Sequence, residues 1–193
     1  MIENEFKIML NREQYEKLLA VYEWDEVISQ TNHYYDDKES LFLSEQGITC
    51  RIREIDGKFV LQMKFPPAEN AAEYSRMEQE IPLDHLPDVI GLHDVPDEAY
   101  LSQPHDVRGV SCLGSLKTTR NVHRFEGGEI DLDKSEYFGK IDYEIEIEFT
   151  DENNARKVLD EIKEKLDIEP NSLVCTGKIH RFINEYKNIE KAP

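Results

Sequence analysis

Cysteine, basic residues and long apolar runs are all scarce in this 193-residue chain. The three cysteines, Cys50, Cys112 and Cys175, are odd in number and far apart, so they supply neither a disulfide framework nor a paired-thiolate metal knuckle. No run approaches the ~18 consecutive apolar residues of a membrane span, and the acidic first residues do not resemble a secretory signal. We therefore expect a cytoplasmic protein without a membrane partner.

Positive charge is in the minority, because 23 Lys and Arg residues stand against 41 Asp and Glu residues and give a formal net charge of −18. Surfaces that follow nucleic-acid phosphates need clustered positive charge, so this balance argues against a nucleic-acid partner, although it permits a local basic site. Hydrophobic residues make up 39% of the chain, which is enough for a globular core. No repeat or linker divides the sequence, and we expect one domain over residues 1–193.

Two-residue alternation of polar and apolar residues dominates the sequence and predicts a fold of the α+β class that is mainly β. Helical spacing predicts helices at about 12–22, 151–166 and 177–187, and the Pro- and His-containing stretch 84–110 is interpreted as a helical or loop connection between two halves of the sheet. Eight strands are enough to close a barrel. The predicted strands cover residues 2–9, 31–37, 47–55, 58–65, 75–83, 114–125, 129–134 and 141–149.

Two tight turns predict which side chains share a face. Asp56-Gly57 is typical of a two-residue hairpin turn, and the resulting register places Arg51 opposite Gln62, with Arg53 and Lys64 on the same side of the hairpin. The apolar residues of both strands fall on the other side.

The second turn contains Gly127-Gly128. Its predicted register places Arg124 opposite Asp131 and puts Arg120 on the same face as Asp133. Each of these strands would then have one apolar face and one ionised face.

The first strand carries Glu3, Glu5 and Lys7 on one face, and the strand at 141–149 alternates five apolar residues with four acids. In a sandwich such ionised faces would be solvated exteriors. In a barrel covered by helices, they would instead line the bore. A bore of mixed charge is costly to desolvate unless it holds water, metal and a charged ligand, and a polyphosphate bound with a divalent metal needs both signs of charge.

The residues that could bind phosphate are basic side chains on the predicted inner face and two at the start of the last helix, where anions are favoured: Lys7, Arg51, Arg53, Lys64, Arg120, Arg124, Lys178 and Arg181. The residues that could bind metal are acidic side chains of the same face: Glu3, Glu5, Asp133, Glu144, Glu146 and Glu148. Residue pattern alone leaves open which two of the last three glutamates would bind the ion.

The ordered set of these motifs resembles the CYTH-domain proteins of the triphosphate tunnel metalloenzyme family. It starts with Glu-x-Glu-x-Lys at positions 3–7 and continues with Tyr35-Asp36, Arg51-Ile52-Arg53, Glu78-x-Glu80, Leu132-Asp133, the Glu-Ile-Glu run and Gly177-Lys178 with Arg181. The resemblance implies an eight-stranded antiparallel β-barrel, or tunnel, with helices packed on the outside. It also implies dependence on Mg²⁺ or Mn²⁺, with Glu3, Glu5, Lys7 and Arg53 in catalytic positions.

The function expected from this reasoning is metal-dependent cleavage of the terminal phosphoanhydride of a small-molecule triphosphate, and inorganic triphosphate is favoured because no aromatic platform for a base is evident. The alternatives are an adenylate cyclase or a thiamine triphosphatase that uses the same tunnel, then an RNA 5′-triphosphatase. A non-catalytic polyphosphate-binding module is the alternative of a different class.

Overall fold

The computed structural model describes residues 2–66, 75–91, 109–167 and 176–190. None of the helices in these ranges combines the length and the apolar composition that crossing a membrane requires. The strands are β1 (Ile2–Leu10), β2 (Glu26–Asp36), β3 (Thr49–Ile55), β4 (Lys58–Phe65), β5 (Ser75–Leu83), β6 (Val89–Gly91), β7 (Gly109–Phe125), β8 (Gly128–Tyr137) and β9 (Lys140–Phe149). The helices are α1 (Arg12–Val21), α2 (Phe42–Glu45), α3 (Glu152–Leu166) and α4 (Lys178–Glu190).

Eight of the strands form an antiparallel ring, which confirms the predicted tunnel. The strand order is β2-β3-β4-β5-β1-β9-β8-β7, and β7 pairs in turn with β2 from Glu26↔Val122 to Asp36↔Ser111. The short strand β6 adds to the edge of β7. Because alternate residues of a strand point to opposite faces, each strand of the ring has one inner and one outer row of side chains.

The eight predicted strands all exist, but β2 and β7 begin five residues before the predicted starts. Strand β6 lies in the stretch 84–110 that was expected to be helix or loop, and residues 92–108 of that stretch lie outside the described residues. Helix α2, which has four residues, was not predicted. A capping box starts α1, since Asn11 and Gln14 exchange both hydrogen bonds.

The turn at Asp56-Gly57 has the predicted conformation and register. Both residues have positive φ, 50° and 73°, as a hairpin turn that matches strand twist requires. Arg51 lies opposite Gln62, and Thr49 lies opposite Lys64.

The predicted register of the second hairpin was wrong by two residues. Strand β7 runs on to Phe125, which pairs with Gly128, so the turn consists of Glu126 and Gly127. Arg124 therefore faces Glu129 and not Asp131. The shift is even, so each side chain keeps its predicted face, and Arg120 lies directly opposite Asp133.

Two apolar clusters cover much of the outside of the ring, while outer positions such as Val27 of β2 stay exposed. The first joins the outer rows of β1, β8 and β9 to α1 and α3, and its members with no more than 2% exposure include Ile8, Ile145, Leu18, Leu159 and Ile162. The second joins the outer rows of β3 and β4 to α2 and β6. Helices and the short strand β6 shield these apolar faces from water, and the ionised rows of side chains lie on the inner side of the ring.

Helix α4 lies across one end of the ring, the end at which a turn joins β8 to β9. Its Phe182 and Ile183 pack against Tyr34, Leu116 and Tyr137, which occupy inner-row positions at that end. The Phe182 ring centroid lies 4.7 Å from that of Tyr34. The first turn of α4 is thereby brought to the ionised inner face.

Candidate active site

The inner rows of β1, β8 and β9 bring acidic and basic side chains into one buried network. Glu146 of β9 lies at the centre of the network. Its carboxylate forms ion pairs with Lys7 Nζ at 2.6 Å, Arg120 Nη2 at 2.5 Å and Lys178 Nζ at 3.0 Å. Burial alone would raise the pKa of Glu146, but these three cations outweigh it and hold the pKa well below its usual range. Glu146 is therefore ionised at any physiological pH.

Arg120 of β7 is held by several carboxylates at once. Its guanidinium binds Asp133 in bidentate fashion, with Nε to Oδ1 at 2.9 Å and Nη2 to Oδ2 at 2.8 Å. It also forms an ion pair with Asp131 and lies 3.7 Å from Glu148. Burial would lower the pKa of Arg120, but the surrounding carboxylates raise it well above its ordinary value.

The start of α4 adds two further cations to the network. Lys178 Nζ lies 2.8 Å from Asp133 and also pairs with Glu144, while Arg181 binds Glu144 and, through Nε at 2.7 Å, Asp142. These contacts occupy Glu144 with two cations from one helix.

The rows of β3, β4 and β5 form the other side of the inner face. Arg51 Nε donates to Gln62 Oε1 at 2.9 Å and its Nη2 lies 3.6 Å from Glu78, which is also 3.6 Å from Lys64 Nζ. Gln62 in turn donates to Glu80 at 2.5 Å. Cations and acids therefore alternate around this side as well.

Arg53 differs from the other inner-face cations, since no described residue supplies it with a carboxylate partner. Its Nε donates to the amide oxygen of Asn32 at 3.1 Å. Burial, followed by repulsion from Arg51 and Arg120, lowers the pKa of Arg53 to about 10, so the guanidinium stays charged near neutral pH. A half-buried cation without a directly bound carboxylate is favourable for binding an anion.

Among the residues that the structure describes, three groups of carboxylates on the inner face have oxygens close enough to share a cation. They are Glu5, Glu146 and Glu148; Glu129, Asp131 and Glu148; and Asp133, Glu144 and Glu146, with the ligand atoms of each group within 4.8 Å of one another. All the donors are hard carboxylate oxygens, which suit Mg²⁺ or Mn²⁺.

Asp131 supports the fit of a divalent cation to this face. Its side chain is fully buried (0% exposed); Oδ2 forms the ion pair with Arg120, whereas Oδ1 has no partner among the described residues. Burial raises the pKa of Asp131 to about 8 despite the nearby Arg120. A cation at the oxygens would compensate for this missing solvation, so the residues fit the metal that the sequence motifs imply.

The sequence-predicted residues fall mostly on this face. Glu5, Asp133, Glu144, Glu146, Glu148, Lys7, Arg51, Arg53, Lys64, Arg120, Lys178 and Arg181 all take part in the contacts above. The side chain of Glu3 lies outside the described residues. Arg124 lies at the rim, with its side chain 55% exposed and bound to Glu26 at 2.9 Å, so it does not join the buried network.

Several inner-face residues were not predicted as part of the site, notably Asn32, Gln62 and Asp142. The hairpin register already placed Gln62 opposite Arg51, which could have identified it. Asn32 is uncharged and carries no comparable signal. Asp36, which belongs to a family motif, accepts hydrogen bonds from the backbone of Leu43 and Ser44 and so positions α2 instead of facing a ligand.

Comparisons with known proteins match nearly the whole chain. The family model described as "CYTH domain" matches residues 1–177. A Bacillus subtilis (strain 168) protein named "Putative triphosphatase YjbK" is 32% identical over 190 residues, which is 95% of each chain.

Solved structures share the fold. A Bacillus halodurans protein described as a "putative adenylate cyclase" is 27% identical with a TM-score of 0.71, covering 93% of this chain and 96% of its own. The Hippeastrum protein HpAC1 is 24% identical with a TM-score of 0.73, covering 95% and 96%. The order of the motifs, the strand ring with its ionised inner face and the match over residues 1–177 agree, and this chain belongs to the CYTH domain family.

Proposed function

We propose that this protein is a hydrolase that cleaves the terminal phosphoanhydride bond of a triphosphate, and that inorganic triphosphate is its substrate. The observation that carries the proposal is the composition of the inner face, where guanidinium and ammonium groups lie next to carboxylate groups that could hold a metal. The name of the Bacillus subtilis relative agrees with triphosphate hydrolysis.

The cations of the inner face would hold the phosphates. Arg51, Arg53 and Lys64 lie on one side, and Arg120 and Lys7 lie on the other, so a linear phosphate chain between them would be bound from both sides. Guanidinium groups match the oxygens of a phosphoryl group in pairs, and their fixed positions stabilise the charge that develops during phosphoryl transfer. Arg124, at the exposed rim, is not part of this proposal.

Glu5, Glu146 and Glu148 would hold a divalent cation, since they come from two adjacent strands with their oxygens close together. The bound metal would supply neutralisation of phosphate charge and a water molecule of lowered pKa. Glu144 is a weaker candidate for this ion because it lies opposite Met9, while Glu148 lies opposite Glu5, and its oxygens approach those of Asp133 and Glu146 instead.

Substrate binding would redistribute the ion pairs. Three cations neutralise Glu146, and the same three groups face the position proposed for the phosphates. A phosphate chain would draw these cations toward its own oxygens and leave the carboxylate free for a cation. The protein is thereby able to keep both signs of charge buried before the substrate arrives.

The aromatic residues near the site favour inorganic triphosphate over a nucleotide. Tyr34, Tyr137 and Phe182 are all buried in the packing of α4 against the ring, so none of the three offers an open ring face to a base. The described residues show no other aromatic group within the charged network.

The test is phosphate release by the purified protein from tripolyphosphate, thiamine triphosphate and ATP, each with Mg²⁺, Mn²⁺ or EDTA. We expect release from tripolyphosphate that requires metal, and loss of most of it in Glu5→Gln and Arg53→Ala. Arg12→Ala, which removes a surface arginine paired with Glu16 on α1, is the matched control and keeps full activity.

Cyclic AMP formation from ATP would instead support a cyclase, the activity named for the Bacillus halodurans relative. Tight binding without release would indicate a binding module, and full turnover by Arg53→Ala would refute the assignment of the inner face.

A further inference from the structure

Asn32 is a buried polar residue that lies inside the charged network without carrying charge. It belongs to the inner row of β2, where it pairs with Arg53 on β3 and Leu116 on β7, and its side chain is 0% exposed. Its amide oxygen accepts the hydrogen bond from Arg53 Nε at 3.1 Å.

The contact with Arg53 fixes the orientation of the amide. Arginine has only donors, so the group that faces it must be the oxygen of Asn32 and not the nitrogen. The amide nitrogen Nδ2 then points elsewhere with two hydrogens, and it has no acceptor among the described residues. Buried donors are nearly always paired, so an unpaired one at an inner-face position indicates a missing acceptor.

The neighbourhood determines what kind of acceptor fits. Burial is the main cause of the lowered pKa of Arg53, and the positive charges of Arg51 and Arg120 add to it, so cations lie near the amide that Arg53 contacts. Phosphoryl oxygens are anionic, accept several hydrogen bonds each and have no hydrogens to clash with Nδ2. An oxygen bound by Arg53 would lie within reach of the amide that Arg53 contacts.

We propose that Asn32 is a substrate-binding residue, which positions Arg53 through its oxygen and donates from Nδ2 to an oxygen of the same phosphoryl group. This inference rests on the proposed function, because it requires a phosphate chain at the inner face. It adds a neutral donor to a site whose other predicted members are all charged.

The test uses isothermal titration of tripolyphosphate in EDTA, which measures binding without turnover, together with thermal unfolding of each ligand-free variant. Asn32→Asp keeps the shape and the contact with Arg53 but removes the donor and adds a negative charge. We expect its dissociation constant for tripolyphosphate to rise by more than about 10-fold, the effect of losing a hydrogen bond to a charged group. Its ligand-free melting temperature should stay equal or rise, because the new carboxylate compensates Arg53.

Asn121→Asp is the matched control. Asn121 is a buried asparagine of the same ring, but it lies on the outer face and its Nδ2 is 3.4 Å from both Tyr15 Oη and Leu132 O. We expect this variant to be less stable and to bind tripolyphosphate within about 2-fold of the wild type.

The outcomes separate the two proposals. If the wild type binds tripolyphosphate and folded Asn32→Asp binds it equally well, Asn32 is only structural and the inference fails while the proposed function stands. If the wild type does not bind in EDTA, the inference fails, and the proposed function fails with it only if phosphate release from tripolyphosphate with Mg²⁺ or Mn²⁺ is absent as well. Asn32→Ala provides a second variant, and reduced binding is expected there as well, without the added charge.

Discussion

Replacing Glu146 by Gln would remove one negative charge from the meeting point of three cations with almost no change in shape. Each cation keeps another carboxylate, since Lys7 lies 3.1 Å from Glu5 and Lys178 lies 2.8 Å from Asp133, which also binds Arg120. The loss of folding stability should therefore be at the lower end of the range for a broken buried ion pair, about 3 kcal/mol.

The same substitution should strengthen metal-free anion binding. The interaction energy of two unit charges 4 Å apart is about 4 kcal/mol at an effective dielectric constant of about 20, and it is about half of that at twice the distance. Removing the carboxylate should therefore favour tripolyphosphate in EDTA by about 2 kcal/mol, or about 30-fold in the dissociation constant. Metal-dependent phosphate release should fall by at least about 100-fold, because the variant loses one of the carboxylates proposed to hold the metal.

Urea unfolding, titration calorimetry in EDTA and phosphate release with Mg²⁺ measure these three effects separately. Glu16→Gln, which removes an exposed acid of α1, is the control and should leave all three unchanged. Weaker tripolyphosphate binding by folded Glu146→Gln in EDTA would refute the reasoning, because the three cations would then not face the ligand.

Three further predictions follow from other parts of the molecule. Phe182→Ala removes a fully buried ring of α4 and should lower the free energy of unfolding in urea by about 3–5 kcal/mol. It should also weaken tripolyphosphate binding, because α4 carries Lys178. Unchanged binding would contradict that link. Burial raises the pKa of Asp131 to about 8 from an ordinary value of 3.8. The contribution of its protonated carboxyl group to folding stability is therefore fully present below about pH 4 and is lost as pH rises through about 8. In EDTA, the fall in unfolding free energy from pH 5 to pH 9 should be smaller for Asp131→Asn than for the wild type, and equal falls would show that the residue is ionised throughout. Asp151→Ala removes the side-chain cap of α3 and should lower stability by about 1 kcal/mol without affecting phosphate release, and lost activity in a folded variant would show that α3 influences the site.

Much of the architecture could be predicted because it depends on local patterns. Strict alternation in residues 141–149 and the turn at Asp56-Gly57 determine which side chains share a face, and the face of a side chain survives an even shift of register. For that reason Arg120 was correctly grouped with Asp133 even though the second hairpin was misaligned.

Other features depend on contacts that local patterns do not encode. Both Glu126-Gly127 and Gly127-Gly128 are suitable for a two-residue turn, so the sequence did not distinguish them and the predicted register was wrong by two residues. The apolar stripe of α4 predicts that the helix packs, but not that it lies across the end of the ring with Lys178 among the acids. Strand β6 has only three residues and forms because β7 offers it an edge.

The hydrogen bond between Lys7 and Glu146 joins residues that are 139 positions apart. Among the described residues, the Glu5–Leu10 segment of β1 pairs with β9, which follows it by more than 130 residues, so the ring is a topology of high contact order. Such topologies fold in milliseconds to seconds, since long loops must close before their contacts contribute. Refolding at low ionic strength should be slowed further, because the acids of β9 repel one another until β1 and β7 supply their cations.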